Sequence, residues 1–113
     1  MSEERFDDDG YPTEAAIERL QSFEGSAGEM VSYITSLMRN GFSALENFTD
    51  DFGRAQKRLT LVTGGWSGCE TVIGALDSTM FHFIFWESSF RGGKHTYTFS
   101  PTQWFIRANW GKP

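Results

Sequence analysis

At 113 residues the chain is sized for one domain, and 39% apolar with 22% charged side chains is the composition of an ordinary globular protein. No run reaches the roughly eighteen apolar residues of a membrane span, the acidic opening "MSEERFDDDG" does not read as a signal peptide, and a single cysteine rules out an internal disulfide and suits a reducing cytosol. A net charge of −5 argues against duplex nucleic acid as a partner, because ten Lys and Arg are too few to track a phosphate backbone.

That charge is unevenly spread. Residues 1–53 hold three Arg or Lys against twelve Asp or Glu, a balance of −9. Residues 54–113 hold seven against three, a balance of +4. A basic half of this kind suits an anionic ligand or partner. The plainer reading is that the two halves attract each other within the fold.

Taken in chain order, residues 1–10 are acidic and without periodicity, and are expected to be disordered ahead of a single domain over 11–113. Thr13 is placed to cap a first helix whose stripe is Ala16, Ile17, Leu20 and Phe23, stopped by Gly25. Ser26 and Glu29 have capping-box spacing, so a second helix follows, with Met30, Ile34, Leu37 and Met38 on one face and Asn40-Gly41 at its end. Phe42, Leu45, Phe48 and Phe52 suggest a third, shorter helix.

From Arg58 the period changes. "RLTLVT" reads as a strand, and Ser67 with Glu70 forms a second capping box just after Gly64, Gly65 and Gly68. Cys69, Val72, Ile73 and Leu76 then give a core-facing helical stripe that Asp77-Ser78 ends. "TMFHFIFWES" reads as a central strand apolar on both faces, with Phe81, Phe83 and Phe85 on one side and Met80, Ile84 and Trp86 on the other. "FRGGKH" is a turn and "HTYTF" the return strand. In the tail, Ser100-Pro101 has the chemistry of a helix start, while "QWFIRANW" reads equally well as an edge strand. The sum is an α+β domain: two to three N-terminal helices, then a β-α-β-β unit, with helices packed on a small mixed sheet.

The stretch Thr63-Gly64-Gly65-Trp66-Ser67-Gly68 has a chemistry of its own. A helix N-terminus exposes unpaired N–H groups, and glycines ahead of it let an anion approach the backbone. Thr63 and Ser67 add hydroxyls, and Trp66 offers a stacking face. The turn Arg91-Gly92-Gly93-Lys94-His95 adds two cations and an imidazole. If the strand from 58 to 63 ran parallel beside that from 80 to 88, both turns would converge at the strand ends on a phosphorylated nucleotide. Alternatively the glycines serve only a tight strand-to-helix connection, with Trp66 plugging the core.

Catalytic and metal readings find less support. "GWSGC" departs from the nucleophile elbow at its last glycine. Cys69 lies on the core-facing stripe, and His82 sits among aromatics. One Cys and two His at no ligand spacing argue against a metal. No cofactor is implied, and no nucleophile–base–orienter set can be assembled.

At these motifs the sequence resembles a group of small uncharacterised bacteriophage proteins. Thr63, Gly64, Gly65, Trp66, Ser67, Gly68, Glu70, Trp86, Ser88, Ser89, Arg91, Gly92 and Gly93 carry the resemblance, which covers about residues 11–99. Phe90 stands where a second Arg is expected, and Lys94 separates the glycines from His95. The resemblance implies a phage protein in the cytoplasm of an infected bacterial host, with counter-defence as its setting. Joined to the glycine turns, it gives a binding protein that sequesters a nucleotide signal without turnover, as a homo-oligomer. The alternative is an inhibitor docking on a host enzyme through its acidic helices or the tail aromatics Trp104, Phe105 and Trp110. A small nucleotide-acting enzyme is the third reading.

Overall fold

A computed structural model of the chain describes residues 5–113. The α+β class expected from the sequence holds. The first helix, α1 (Glu14–Leu20), starts where Thr13 Oγ1 accepts from the Ala16 amide. A short strand β1 (Glu24–Ser26) leads into α2 (Ala27–Leu37), which carries the full Ser26–Glu29 capping box. The hairpin β2 (Phe42–Thr49) and β3 (Ala55–Val62) follows, then α3 (Ser67–Asp77) and α4 (Met80–Phe85). β4 (Trp86–Phe90) and β5 (Lys94–Phe99) make a second hairpin, and α5 (Pro101–Trp104) with β6 (Arg107–Asn109) closes the chain. Among the described residues, no helix is long and apolar enough to cross a membrane.

Four strands form a sheet in the order β2-β3-β5-β4, antiparallel throughout. The mixed sheet expected from the sequence is therefore corrected, and so is the parallel pairing of 58–63 with 80–88. β3 is flanked by β2 and β5, and β4 is an edge strand. Two further expectations change. Residues 42–49 are strand rather than helix, because they pair residue for residue with β3. Residues 80–85 are helix rather than strand. Thr79 Oγ1 caps that helix by accepting from the His82 amide, and helical spacing then buries Phe81 and Phe85 while exposing Phe83.

The core lies on one face of the sheet. Leu59 and Leu61 of β3 and Tyr97 and Phe99 of β5 point inward and are fully buried. Over them pack Met30, Ile34 and Leu37 of α2, Val72 and Leu76 of α3, and Phe81 and Phe85 of α4. The opposite face carries Arg58, Thr60, Lys94, Thr96 and Ser88. There Arg58 grips Glu87 with two parallel hydrogen bonds of 2.9 Å. This bidentate pair holds the Glu87 carboxyl below its usual range.

Both ends of the described residues are tied in. Of the N-terminal residues expected to be disordered, 1–4 lie outside the described residues. From Arg5 the chain makes a turn in which Asp7 Oδ1 accepts from the amides of Asp9 and Tyr11, and Phe6 bridges Pro12. At the other end the tail is both of the things its sequence allows. Ser100 and Gln103 form a capping box with Pro101 in the first helical turn, and β6 then pairs antiparallel with β1. Beyond β6, the Trp110 amide donates to Phe23 O, Lys112 N to Gln21 O, and the Met80 amide to Gly111 O. A Cβ at Gly111 would collide with the Gln21 backbone, so glycine is required where the tail crosses α1. Trp110 is buried against Phe85, and its indole donates to Gly25 O.

Trp110→Ala is accordingly expected to cost about 3–5 kcal/mol by urea unfolding, as for a deleted core aromatic. Phe105→Ala, which truncates an exposed ring, should stay within about 0.5 kcal/mol.

Candidate functional site

The two glycine turns meet. The Thr63 amide at the end of β3 donates to Gly93 O in the β4–β5 turn, at 3.0 Å. Gly64, Gly65, Gly92 and Gly93 all have positive φ, between 61° and 93°, where side chains are strained. Gly93 has a second reason to be glycine, since a Cβ there would run into Thr63 Oγ1.

Beside this junction lies a cleft of about 520 Å³, lined by Thr63 and Gly65, by Gly92 and Gly93, by His95 of β5, and by Glu70, Ile73 and Gly74 of α3. Sequence reasoning named the first five. Glu70 was assigned to a capping box and Ile73 to the core stripe. Gly74 is the least conspicuous of the set. A Cβ at that position would meet nothing within 4 Å, so its helix surface opens directly on space.

The remaining expected residues are placed elsewhere. Trp66, not Ser67, is the N-cap of α3, and no side chain caps this helix. The Trp66 amide donates to Thr63 O, closing the turn one residue earlier than the capping-box spacing suggested. Its indole folds back over Gly68, where a Cβ would collide with Nε1, and packs against Tyr11 at 5.0 Å between ring centroids. Trp66 is thus half-buried under the N-terminal segment and does not line the cleft. Ser67 Oγ pairs with the Tyr11 hydroxyl. Gly64 is exposed beside the cleft, and Arg91 is exposed at the hairpin tip next to Gly92. Lys94 and His95 are neighbours in sequence but face opposite sides of the sheet, as alternate strand residues must. Lys94 therefore lies on the outer face, with its ammonium 5.2 Å from the centre of the Phe90 ring.

His95 is held by a short polar chain. The Trp86 indole donates to Ser89 Oγ at 2.9 Å, and the same oxygen pairs with His95 Nδ1, also at 2.9 Å. Burial pushes the His95 pKa down, and the nearby His82 pushes the same way, so the ring is neutral at pH 7. A second chain runs behind it: His82 Nε2 faces Asp77 Oδ1 at 3.2 Å, and His82 Nδ1 meets the Tyr97 hydroxyl at 2.9 Å. Burial raises the Tyr97 phenol far above its ordinary value, so the phenol keeps its proton beside His82.

The cleft thus offers an apolar wall at Ile73, bare backbone at four glycines, one hydroxyl, one neutral imidazole and one carboxylate. Cys69 is not part of it. That thiol is fully buried, and burial raises its pKa, the reverse of a nucleophilic cysteine. Among the described residues, no group of three or more His, Cys, Asp and Glu is arranged to hold a metal ion. No family model matches the chain, and no curated protein or solved structure matches it significantly.

Gly93→Ala is expected to lose about 1–3 kcal/mol of stability, from positive-φ strain and from the collision with Thr63. Thermal melts of the variant against wild type give the loss. His95 should titrate below 6.5 by NMR. Because its folded pKa is depressed, the unfolded chain takes up this proton first as pH falls. Stability is therefore lost as pH drops below the ordinary histidine value, and His95→Gln should flatten that part of a denaturation-versus-pH profile.

Proposed function

We propose that this protein is a non-catalytic binder of a small phosphorylated nucleotide, and that the cleft between the two glycine turns is its site. The observation that carries the reading is the Thr63–Gly93 hydrogen bond with the 520 Å³ cleft beside it, since it joins two separately inferred turns into one pocket. A volume of this size falls in the range of small-ligand pockets. The heterocycle would lie along Ile73 and Gly74, where the helix surface is bare, with the His95 imidazole and Thr63 hydroxyl as polar contacts. Glu70 disfavours negative charge on the α3 side, so the phosphate belongs at the rim, over the backbone of Gly64, Gly65 and Gly92 and beside Arg91. This modifies the expectation from sequence: Trp66 supports the turn and does not stack on the ligand.

Retention without turnover is favoured by the state of the groups present. The one thiol is buried and protonated, and the neutral His95 is tied to Ser89. In a phage setting, which the sequence resemblance supplies, such a binder would act in counter-defence by withdrawing a nucleotide signal in the host cytoplasm. The rival reading, an inhibitor of a host enzyme, has one observation in its favour. Phe105 and Ile106 are exposed between α5 and β6. Trp110, by contrast, is structural and unavailable to a partner.

Native mass spectrometry with a nucleotide panel tests the proposal. Gly74→Trp should abolish ligand retention by filling the cleft, and its far-UV circular dichroism should match wild type because a Cβ at this position meets nothing within 4 Å and faces the cleft. Arg91→Ala should weaken a phosphorylated ligand about tenfold, the equivalent of one charge-assisted hydrogen bond of about 1.4 kcal/mol, and leave its nucleoside unaffected. Ligand recovered intact after heating supports sequestration, whereas recovered product would show an enzyme. If no nucleotide is retained and only Phe105→Ala removes biological activity, the inhibitor reading replaces this one.

A further inference from the structure

The four-stranded sheet has two edges, and they differ. β4 is five residues long, and its pairing with β5 slips between Trp86 and Ser88. A bulge of that kind is one of the devices that stop an edge from templating another strand. β2 has eight residues in unbroken register with β3, from Phe42 opposite Val62 to Thr49 opposite Ala55. It contains no proline and a single charge, Glu46. Among the described residues, no strand pairs with its outer side. Phe42 and Leu45 are large and apolar, yet 58% and 44% exposed. Apart from Glu46, this edge has none of the usual guards.

We propose that β2 is a dimer interface, on which a second copy of this chain pairs antiparallel across a twofold axis at Leu45 to join two sheets into one of eight strands. Symmetry and charge fix the register. Opposed residues in an antiparallel pair share a face of the sheet, so a twofold axis must pass through a residue that lies opposite itself. Two such registers use seven of the eight residues of β2: one centred on Leu45, the other on Glu46. The second sets two carboxylates face to face, which is destabilising. The first sets leucine against leucine, and Phe42 against the partner's Phe48 at both ends. Ala44 meets the partner's Glu46, and Ser43 meets the partner's Asn47. Each Glu46 stays beside Arg58, its neighbour on β3. The strand thus matches itself in apolar pattern and sets no like charges directly opposite, which favours a second copy over a foreign peptide.

Sedimentation equilibrium of the full chain is expected to give twice the 12.8 kDa chain mass, dissociating on dilution. Leu45→Lys places two ammonium groups opposite one another and should yield a monomer with unchanged far-UV circular dichroism. Position-specific cross-linking provides a second readout that does not depend on loss of assembly. Leu45→Cys should form an interchain disulfide on mild oxidation, since opposed Cβ atoms lie about 4.5–5.5 Å apart. Glu46→Cys should not, because its partner residue is on the diagonal, about 7–8 Å away. The native Cys69 is buried and does not compete. A wild type that is monomeric up to its solubility limit overturns the proposal. So does a dimer that Leu45→Lys leaves intact, or one that cross-links through position 46 instead of 45.

Discussion

Everything in this structure is arranged around the inner face of two central strands. Leu59 and Leu61 of β3 and Tyr97 and Phe99 of β5 form one apolar surface, and the helices bury their own stripes against it. A small domain has little apolar surface to spend, so a single two-layer core is the economical solution. The consequence is a sheet with unlike faces. Its inner side is sealed by Phe81, Phe85, Val72 and Leu76. Its outer side carries hydroxyls and the Arg58–Glu87 pair, which water can solvate. The edge strand β2 is left with exposed apolar side chains at Phe42 and Leu45.

The same packing creates the cleft. α3 must lie on the inner face to bury Val72 and Leu76, and it starts immediately after β3 ends. Its first turns therefore stand beside the end of β5, where His95 points inward and Gly92-Gly93 turns the chain. The Thr63–Gly93 hydrogen bond fixes the spacing. Where α3 carries Gly74 in place of a larger residue, the gap between helix and strand remains open. His95, on the cleft wall, is held through Ser89 by the Trp86 indole, and His82 behind it lies between Tyr97 and Asp77.

Part of the site was legible in the linear sequence. Glycines that permit positive φ mark turns whatever lies around them, so Gly64, Gly65, Gly92 and Gly93 stood out. Trp66 was legible as a feature but not in its role. Which way an indole leaves a turn depends on what covers it, and here Tyr11 does so from fifty-five positions away. Glu70, Ile73 and Gly74 carried no signal of their own. A helical residue lines a cleft only when the neighbouring element stops short of it, and that is a property of packing.

What the sequence by itself determined was the set of locally enforced features. Thr13 and the Ser26–Glu29 box act within one helical turn, and both helices start where their spacing placed them, whereas the Ser67–Glu70 spacing did not form its box. The chain's α+β class follows from them and from the alternation in β3 and β5. Only the tertiary structure decided the two segments whose local preferences are weak. "MFHFIF" is apolar at every position but His82, so no period separates helix from strand, and the Thr79 cap with burial of Phe81 and Phe85 tips it to helix. "FSALENFT" has apolar residues at helical intervals, yet β3 presents an unpaired edge whose backbone groups require a partner. Pairing there satisfies more of them than a free helix could, and the segment becomes the strand β2.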